Sequence, residues 1–362
     1  MTMTDSSMCR TRMEVKLDSL RQNFLTVKEK MKNCRVMGVV KANAYGLGVH
    51  PVAQTLKDAG AAGLCVATWQ EASELLKYDL PIQILGAVFD FELPHAVANN
   101  AILGITDLET AERFSAEAVR QNRSLECHIK LDTGMGRLGI LYYDAVELIR
   151  KICALPNLKC KGIYSHFPQA YTGEESFAAE QLKRFLNVLE GCHSAGIDFE
   201  KIHMANSDGI QLFDRTGEPP FNYARAGLTM YYGANPVVKL CSRLAAVRKM
   251  PAGYTIGYER TCTLKKDSLV GTIAAGYADG LPLALSNRGF VSFRGKRCPV
   301  LGRISMDYTT ILLDGIDDPQ IGGDVTLFGD ELVRADEWAA LKGSHVYDIF
   351  CSVSPRVKRF YR

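Results

Sequence analysis

The chain has 362 residues, of which 47% are hydrophobic and 23% charged, and its net charge at pH 7 is +3. This composition is ordinary for a soluble globular protein, and the length is enough for two domains. The charge is too small to indicate nucleic-acid binding, and no apolar segment approaches the length of a membrane span. Eleven cysteines occur without any CxxC pair, which is typical of reduced thiols in a cytoplasmic protein rather than of disulfides or a zinc site. The polar first ten residues lack the apolar core of a signal peptide, and we predict a disordered tail over residues 1–11.

Short apolar segments alternate with amphipathic helical segments through the first two-thirds of the chain. This alternation and the number of strands predict a (β/α)8 barrel over residues 12–236, with an open doubly wound sheet as the alternative. The predicted strands are 36–40, 63–68, 82–85, 101–105, 125–131, 160–165, 201–205 and 223–228. The predicted helices are 49–59, 70–78, 110–120, 144–155 and 175–193.

After residue 236 the pattern changes to strand-like segments separated by turn pairs such as Arg294-Gly295 and Gly322-Gly323. We therefore predict a second, mostly β domain over residues 237–362, with one helix at 335–341. Its predicted strands are 238–249, 262–275, 290–294, 299–313 and 324–328.

Lys41 ends the first predicted barrel strand, just before the glycine-containing turn at residues 45–48. An amine at the end of a buried strand is partly desolvated, which lowers its pKa and favours the neutral, nucleophilic form. Such a lysine suits a Schiff base with a carbonyl cofactor. A solvated lysine that caps a strand is the alternative.

Further polar side chains follow the carboxyl ends of the predicted strands, where (β/α)8 barrels build their active sites. Ser207 can cap the helix that follows it, and Gly227 lets the backbone approach an anion closely, which favours a phosphate site. Together with Lys41, this favours a phosphorylated aldehyde as the cofactor. The polar residues at strand ends are Lys130, Asp132, Arg137, His166, Asn206, Ser207 and Arg225.

The motifs, in their order along the chain, resemble those of the alanine racemases, a fold-type III family that uses pyridoxal 5′-phosphate (PLP). The first is the lysine motif VVKANAYGLG at residues 39–48. The resemblance extends from about residue 12 over nearly the whole chain. The later motifs are KLDTGMGRLG (130–139), YSHF (164–167), ANS (205–207), RAG (225–227), GYADG (276–280) and GRISMD (302–307).

The resemblance implies that Lys41 binds PLP covalently and that Lys41 and Tyr258 are the two acid/base groups. Racemisation needs two such groups on opposite faces, because one removes the α-proton and the other returns a proton from behind. The implied cofactor-binding residues are Lys41, Tyr45, His166, Asn206, Ser207, Arg225, Gly227 and Tyr347. The implied substrate-binding residues are Arg137, Tyr277, Met306 and Asp307.

The implied contact of Arg225 with the pyridine nitrogen also favours a racemase. A guanidinium stays protonated, so it donates a hydrogen bond and leaves that nitrogen unprotonated, which makes the ring a weaker electron sink. Lys130 matches a position that is carbamylated in many relatives. An ion pair between Lys130 and Asp132 is the alternative.

Two segments depart from the family pattern. Residues 168–173 replace a run of small and acidic residues, and Glu259 follows Tyr258 where glycine is usual. The Glu259 carboxylate could raise the pKa of Tyr258, but a side chain that points to solvent is the favoured interpretation.

We predict PLP-dependent racemisation of a small amino acid, with alanine favoured because Tyr258, Tyr277 and Tyr347 would crowd a larger side chain. A racemase for serine or another amino acid and a barrel-fold PLP decarboxylase are alternatives. A non-catalytic PLP-binding homeostasis protein is a third, although the second domain argues against it. The resemblance also implies a homodimer in which the second domain of one subunit caps the barrel of the other.

Overall fold

The computed structural model describes residues 8–170 and 176–362, which divide into two compact units. The barrel unit contains residues 20–44 and 49–233, and the β unit contains the described residues up to 19, residues 45–48 and residues 234–362. The chain begins with strand β1 (Arg12–Val15) and helix α1 (Leu17–Lys30). Among the described residues, no helix is both long and apolar enough to cross a membrane.

The barrel unit confirms the predicted fold class. Its parallel strands pair in the order β10-β2-β3-β4-β5-β6-β8-β9, and β7 pairs with β6 outside this series. The strands are β2 (Arg35–Val39), β3 (Leu64–Val66), β4 (Ile82–Ile84), β5 (Ile102–Ile105), β6 (Leu125–Asp132), β7 (Ile140–Leu141), β8 (Leu158–Tyr164), β9 (Lys201–His203) and β10 (Tyr223–Ala226). Backbone hydrogen bonds from Asn222 N to Ile202 O and from Arg225 N to Ala205 O, both 3.1 Å, join the two end strands. The eight strands therefore form a nearly closed barrel.

Helices follow most of the barrel strands, and side-chain caps fix several of their first residues. Asp107 accepts a hydrogen bond from Thr110 N, so the helix predicted to begin at residue 110 begins at Leu108. The segment α2 (Lys41–Tyr45) is left-handed from Ala42 onward. The other helices are α3 (Val49–Asp58), α4 (Trp69–Ser73), α5 (Leu93–Ala98), α6 (Leu108–Arg120), α7 (Ala145–Cys153), α8 (Phe177–Ser194), α9 (Ser207–Leu212) and α10 (Leu228–Tyr231).

The β unit is a mostly antiparallel sheet in the order β14-β17-β16-β15-β18-β11-β1-β19, with an additional pairing between β14 and β11. A separate hairpin pairs β12 with β13. Its strands after β1 are β11 (Val238–Met250), β12 (Thr255–Ile256), β13 (Cys262–Thr263), β14 (Ser268–Ile273), β15 (Phe290–Phe293), β16 (Lys296–Leu301), β17 (Thr309–Leu312), β18 (Asp324–Phe328) and β19 (Lys358–Tyr361). Its helices are α11 (Ala335–Lys342) and α12 (Val346–Ser352).

Two predicted strands of the β unit are each divided in the structure. The predicted strand 262–275 becomes β13 and β14, and the predicted strand 299–313 becomes β16 and β17. Gly302, with φ at +72°, ends the extended conformation after β16. The division leaves residues 302–308 as a loop.

The start of the chain also differs from the prediction. Strand β1, which the sequence places with the barrel, pairs antiparallel with β11 and parallel with β19 in the β unit. Thr11 is buried, and its hydroxyl donates to Ala274 O at 2.9 Å, so it does not belong to a disordered tail. Residues 1–7 of the predicted tail lie outside the described residues.

Candidate active site

Lys41 lies where β2 ends, and the four residues after it have left-handed backbone conformations. Ala42, Asn43, Ala44 and Tyr45 have φ angles between +53° and +55°. This conformation costs roughly 1–2 kcal/mol for each residue other than glycine. Several such residues in succession are retained only where the surrounding structure holds them, and they commonly mark functional sites.

Hydrogen bonds hold this segment in place. The backbone N–H of Ala42 donates to Glu71 Oε1 at 2.6 Å, and Asn43 Oδ1 accepts from Val49 N at 2.7 Å. Glu71 Oε2 also accepts from Ala67 N at 2.7 Å, so this carboxylate links α2 to the end of β3. The position of Lys41 is therefore fixed from both sides of the turn.

The barrel brings together five of the predicted site residues as a group of basic side chains. Lys130 is 7% exposed, and burial together with the nearby charges of Arg137, Arg225 and Lys41 lowers its pKa to about 8. Burial and the same cations, with Lys130 added, lower the pKa of His166 to about 3. A half-buried neutral imidazole thus lies among four amine or guanidinium groups.

Arg225 is the most deeply buried cation of this group, with 3% of its surface exposed. Its Nη1 donates to His203 Nδ1 at 2.5 Å, and its Nη2 donates to Ser165 O at 2.7 Å. The guanidinium also lies 5.3 Å from the centre of the Tyr164 ring. Among the described residues no carboxylate pairs with Arg225, and no hydrogen bond uses its Nε–H. That N–H remains available to an acceptor.

The carboxylate of Asp132 organises the turn that carries Arg137. It accepts hydrogen bonds from Gly134 N at 2.8 Å and from Gly136 N at 2.9 Å, and a longer one from Arg137 N at 3.3 Å. Among the described residues Lys130 and Asp132 form no direct ion pair, although the charge of Asp132 partly opposes the lowering of the Lys130 pKa. The side chain of Arg137 is exposed.

The predicted phosphate site lies where α9 and α10 begin. Asn206 caps α9 by accepting from Gly209 N at 3.0 Å. Ser207 Oγ accepts from the backbone N–H groups of Gly227 and Thr229, both at 3.3 Å. Thr229 Oγ1 is buried and has no hydrogen-bond partner in the described structure. A buried hydroxyl without a partner is costly, so this corner suits a ligand with acceptor oxygens.

The residues predicted to bind substrate lie on the β unit. Tyr277 N donates to Ser305 O at 3.0 Å, which places Tyr277 beside Met306 in the loop 302–308. A Cβ atom at Gly276 would lie 2.1 Å from Ser305 O, so only glycine allows this approach. Asp307 accepts from Arg356 Nη2 at 2.9 Å.

Tyr258 projects from a strained turn and is 69% exposed. Gly257 on one side has a φ of +77°, and Glu259 on the other has a φ of +59°. Glu259 forms an ion pair with Arg303, at the start of the loop 302–308. The Glu259 side chain is 67% exposed, as the favoured expectation of a solvent-facing carboxylate requires, and it also has a charged partner.

Tyr45 and Tyr347 meet within the β unit, with ring centres 6.4 Å apart and an edge-to-face arrangement. His345 stacks on Tyr347 at 5.2 Å, a neighbour that the sequence analysis missed. In the segment that departs from the family pattern, Pro168 and Gln169 are exposed. Residues 171–173 of that segment lie outside the described residues.

The sequence analysis also missed a buried polar group beneath Arg225. His203 and His128 are fully buried and hydrogen-bonded to each other, and Tyr164 stacks on His203 with ring centres 5.0 Å apart. One signal was available: His128 and Lys130 are two residues apart in β6, so they point to the same side of the strand.

Comparisons with known proteins agree with these observations. The family model described as "Alanine racemase, N-terminal domain" matches residues 15–236, and the model "Alanine racemase, C-terminal domain" matches residues 237–361. A curated alanine racemase from Thermodesulfovibrio yellowstonii is 39% identical over 96% of each chain. The structure of the Streptomyces coelicolor alanine racemase superposes with a TM-score of 0.92, at 29% identity over 99% of each chain.

A second solved structure bears on the cofactor. The alanine racemase of Bartonella henselae, described as having covalently bound pyridoxal phosphate, superposes with a TM-score of 0.89 at 28% identity, over 98% of this chain and all of that one. Both domains of the family are therefore matched in order and over nearly their full length. The chain belongs to the alanine racemase family.

Proposed function

We propose that the chain interconverts L-alanine and D-alanine with PLP held on the barrel. The observation that carries this function is the group of basic side chains around Lys41, set on a barrel that belongs to the alanine racemase family. Such a group attracts an anionic cofactor and the carboxylate of an amino acid.

Incubation with PLP and L-alanine in D2O tests this function. We expect D-alanine that carries deuterium at Cα, with little pyruvate. If no D-alanine forms although the protein retains PLP, the function is contradicted, and serine, lysine and arginine are the next substrates to test.

The residues of the barrel fit PLP at three points. Beside Gly227, the hydroxyl groups of Ser207 and Thr229 face the proposed phosphate site, and the unpartnered Thr229 hydroxyl gains an acceptor there. The Nε–H of Arg225 suits an unprotonated pyridine nitrogen. Lys41 supplies the amine for the aldehyde. When bound, PLP would withdraw electrons from the α-carbon of the amino acid and make its C–H acidic.

Two acid/base groups divide the proton transfers. Lys41 would take or return a proton at Cα on one face through its Nζ amine. Tyr258 acts on the other face through its phenolic oxygen. Since racemisation in either direction uses both groups, each must change protonation state in every turnover.

The substrate carboxylate needs a cation that does not itself take part in proton transfer. Arg137 fits this role, because its turn is fixed by Asp132 and its side chain is exposed. Tyr277, Met306 and Asp307 are proposed to complete the substrate pocket from the β unit. Bulky neighbours of this kind favour alanine over larger amino acids.

Lys130 is proposed to be carbamylated. A lysine with its pKa lowered to about 8 is partly neutral at physiological pH. The neutral amine can add to CO2 with release of one proton, which places an anion where the protonated lysine would be a buried cation. Because Arg137, Arg225 and Lys41 surround this position, the negative charge would be favoured there and could pair with Arg137.

We also propose a homodimer that shares its active sites, located in the cytoplasm. All eleven cysteines are free thiols in the structure, which suits a reducing compartment. Tyr258, Tyr277 and Met306 are exposed on the β unit, as expected of groups that complete a pocket on a second subunit.

Mixing two inactive variants tests the shared site. If Lys41 and Tyr258 of one site come from different subunits, refolding Lys41→Ala with Tyr258→Phe should restore about one quarter of the sites, because each mixed dimer keeps one intact pair. Sedimentation should show a dimer. Failure of the mixture to regain activity, although mixed dimers form, would contradict the shared site.

A further inference from the structure

A chain of buried polar side chains runs from Arg225 through the barrel to a carboxylate. Arg225 Nη1 lies 2.5 Å from His203 Nδ1, and His203 Nε2 lies 3.0 Å from His128 Nδ1. His128 Nε2 lies 3.4 Å from Glu126 Oε1. Glu126 also forms an ion pair with Lys201. Within the described residues, the two histidines thus connect the Glu126 carboxylate to the Arg225 guanidinium.

The arginine end determines where the protons lie. Guanidinium nitrogens only donate, so His203 Nδ1 must accept and His203 Nε2 must carry the proton. His128 Nδ1 then accepts from His203, which leaves its Nε2–H to donate to Glu126. The amide of Gln83, whose Nε2 lies 3.2 Å from His128 Nδ1, is consistent with this assignment because it too donates there. Both imidazoles are thus neutral, each with its proton on Nε2.

The electrostatic environment agrees with this assignment. Burial lowers the pKa of His203 and of His128, so the neutral forms are favoured. Burial alone would raise the pKa of Glu126, but the hydrogen bonds from His128 and Lys201 lower it to about 2. The chain therefore ends in an ionised carboxylate.

Packing prevents the two rings from turning to another arrangement. A Cβ atom at Gly162 would lie 2.5 Å from His128 Cγ, so the imidazole fills the space left by the absent side chain. A β-bulge between Cys127 and His128 sets the register that brings His128 opposite Gly162. The Tyr164 ring lies parallel to His203, with an interplanar angle of 2°.

We propose that Glu126, acting through His128 and His203, is a positioning residue for Arg225. The relay, defined as Glu126, His128 and His203, orients the guanidinium and supplies part of the negative charge that a buried cation requires. A guanidinium held in this way keeps its proton, and its Nε–H would stay available to a pyridine acceptor. This role rests on the proposed function, since it concerns the cofactor's nitrogen.

The proton assignment can be tested without cofactor or substrate. The test is NMR of the histidine side chains in ¹⁵N-labelled protein free of PLP. Between about pH 6 and 9, His128 and His203 should both be neutral and carry the proton on Nε2. Histidines that gain a charge in that range, or that carry the proton on Nδ1, would overturn the relay even if the protein racemises alanine.

The positioning role is tested with Glu126→Gln, which keeps the shape and removes the charge. We expect a shift of the His128 Nε2 signal, a shift of the ¹⁵N signal of the bound cofactor's pyridine nitrogen, and a loss of about tenfold in kcat/KM. The matched control is Glu200→Gln, which removes an exposed carboxylate next to Lys201 that pairs with Lys161 at 3.2 Å. This control should leave all three measurements unchanged.

A second variant guards against a simple loss of stability. His128→Phe keeps a ring of similar size opposite Gly162 but breaks the relay, and it should move the pyridine nitrogen signal in the same direction as Glu126→Gln. If both variants leave that signal where the wild-type protein has it, Glu126 does not position Arg225. A wild-type protein without racemase activity would contradict the proposed function instead, because the histidine signals of the apoprotein do not depend on it.

Discussion

The barrel unit and the β unit carry their functional side chains in opposite ways. In the barrel, the cations Lys130 and Arg225 are buried at strand ends and have no carboxylate in direct contact among the described residues. In the β unit, Tyr258 and Tyr277 are exposed on turns. The nearby carboxylates there are paired with arginine side chains, as in the contact of Asp307 with Arg356.

This difference indicates a division of work. Burying cations without a direct counter-ion costs free energy, which binding of an anionic group would offset. The buried cations of the barrel therefore favour the binding of an anionic group beside them. In the β unit the carboxylates of Glu259, Asp279 and Asp307 are already paired with arginines, so what this unit offers is a phenol and side chains that can shape a pocket. We expect loss of Lys41 in the barrel to alter both cofactor binding and proton transfer, and loss of Tyr258 in the β unit to alter proton transfer alone.

Lys41→Ala, a change in the barrel unit, should give the largest effect on activity. Loss of the amine should remove the covalent bond to PLP and lower kcat by about 10³-fold or more. Borohydride reduction followed by peptide mass spectrometry measures the bond. Lys57→Ala, at the exposed end of α3, is the matched control and should leave both quantities unchanged. A reducible adduct that persists in Lys41→Ala would contradict the assignment.

Tyr258→Phe is the corresponding change in the β unit. Racemisation should fall by about 10²–10⁴-fold in both directions, because every turnover uses both acid/base groups. PLP binding should persist, and exchange of the α-proton with solvent should survive for one enantiomer. Tyr254→Phe removes another exposed phenol of the same segment and serves as the control. Undiminished racemisation would exclude Tyr258 as an acid/base group. Loss of PLP binding would contradict the proposal that Tyr258 serves proton transfer and not cofactor binding.

The two units also differ in how well the sequence predicts them. The barrel strands are predicted because each is a short apolar segment, and the polar residue at its end follows directly from chain order. The pairing of β1 with β11 and β19 joins segments more than 200 residues apart, as in the contact of Arg12 with Cys241. No local pattern indicates such a contact.

The missed features of the site have a common physical cause. Left-handed backbone at Ala42 or Glu259 has no sequence signal, because neither residue prefers that conformation. It is imposed by partners such as Glu71 and Arg303, which are distant in the chain. The relay beneath Arg225 likewise depends on two histidines from different strands. The sequence therefore predicts which residues reach the barrel face but not what holds them.

Lys130→Met tests whether Lys130 is a buried amine, through the pH dependence of the free energy of unfolding. The pKa of Lys130 is about 8 in the folded protein against an ordinary lysine value of 10.5, so the folded state binds fewer protons between these limits. Stability of the wild-type apoprotein relative to Lys130→Met should therefore rise with pH from about 8 to 10.5, by up to about 3 kcal/mol. Chemical unfolding in carbonate-free buffer measures this difference.

Added ¹³C-bicarbonate distinguishes the carbamate from the free amine. A carbamate carries no titrating amine, so it should flatten the pH dependence of the wild-type protein and give a ¹³C signal that Lys130→Met lacks. A relative stability that stays constant with pH in carbonate-free buffer would show that Lys130 is not a buried amine of lowered pKa.

Ala42→Gly should give the smallest effect, and it asks whether the strain beside Lys41 has a function. Glycine relieves roughly 1–2 kcal/mol of left-handed strain in the folded state. It also makes the unfolded chain more flexible, which lowers the free energy of unfolding by about 0.4–1 kcal/mol. The variant should therefore be slightly more stable, by about 0.5 kcal/mol, as measured by chemical unfolding. The hydrogen bond from the backbone N–H of residue 42 to Glu71 is retained, so the turn should still form. If the strain serves to hold Lys41, the more stable variant should nevertheless have a lower kcat with an unchanged KM, whereas an unchanged kcat would show that Glu71 alone is enough to fix the turn.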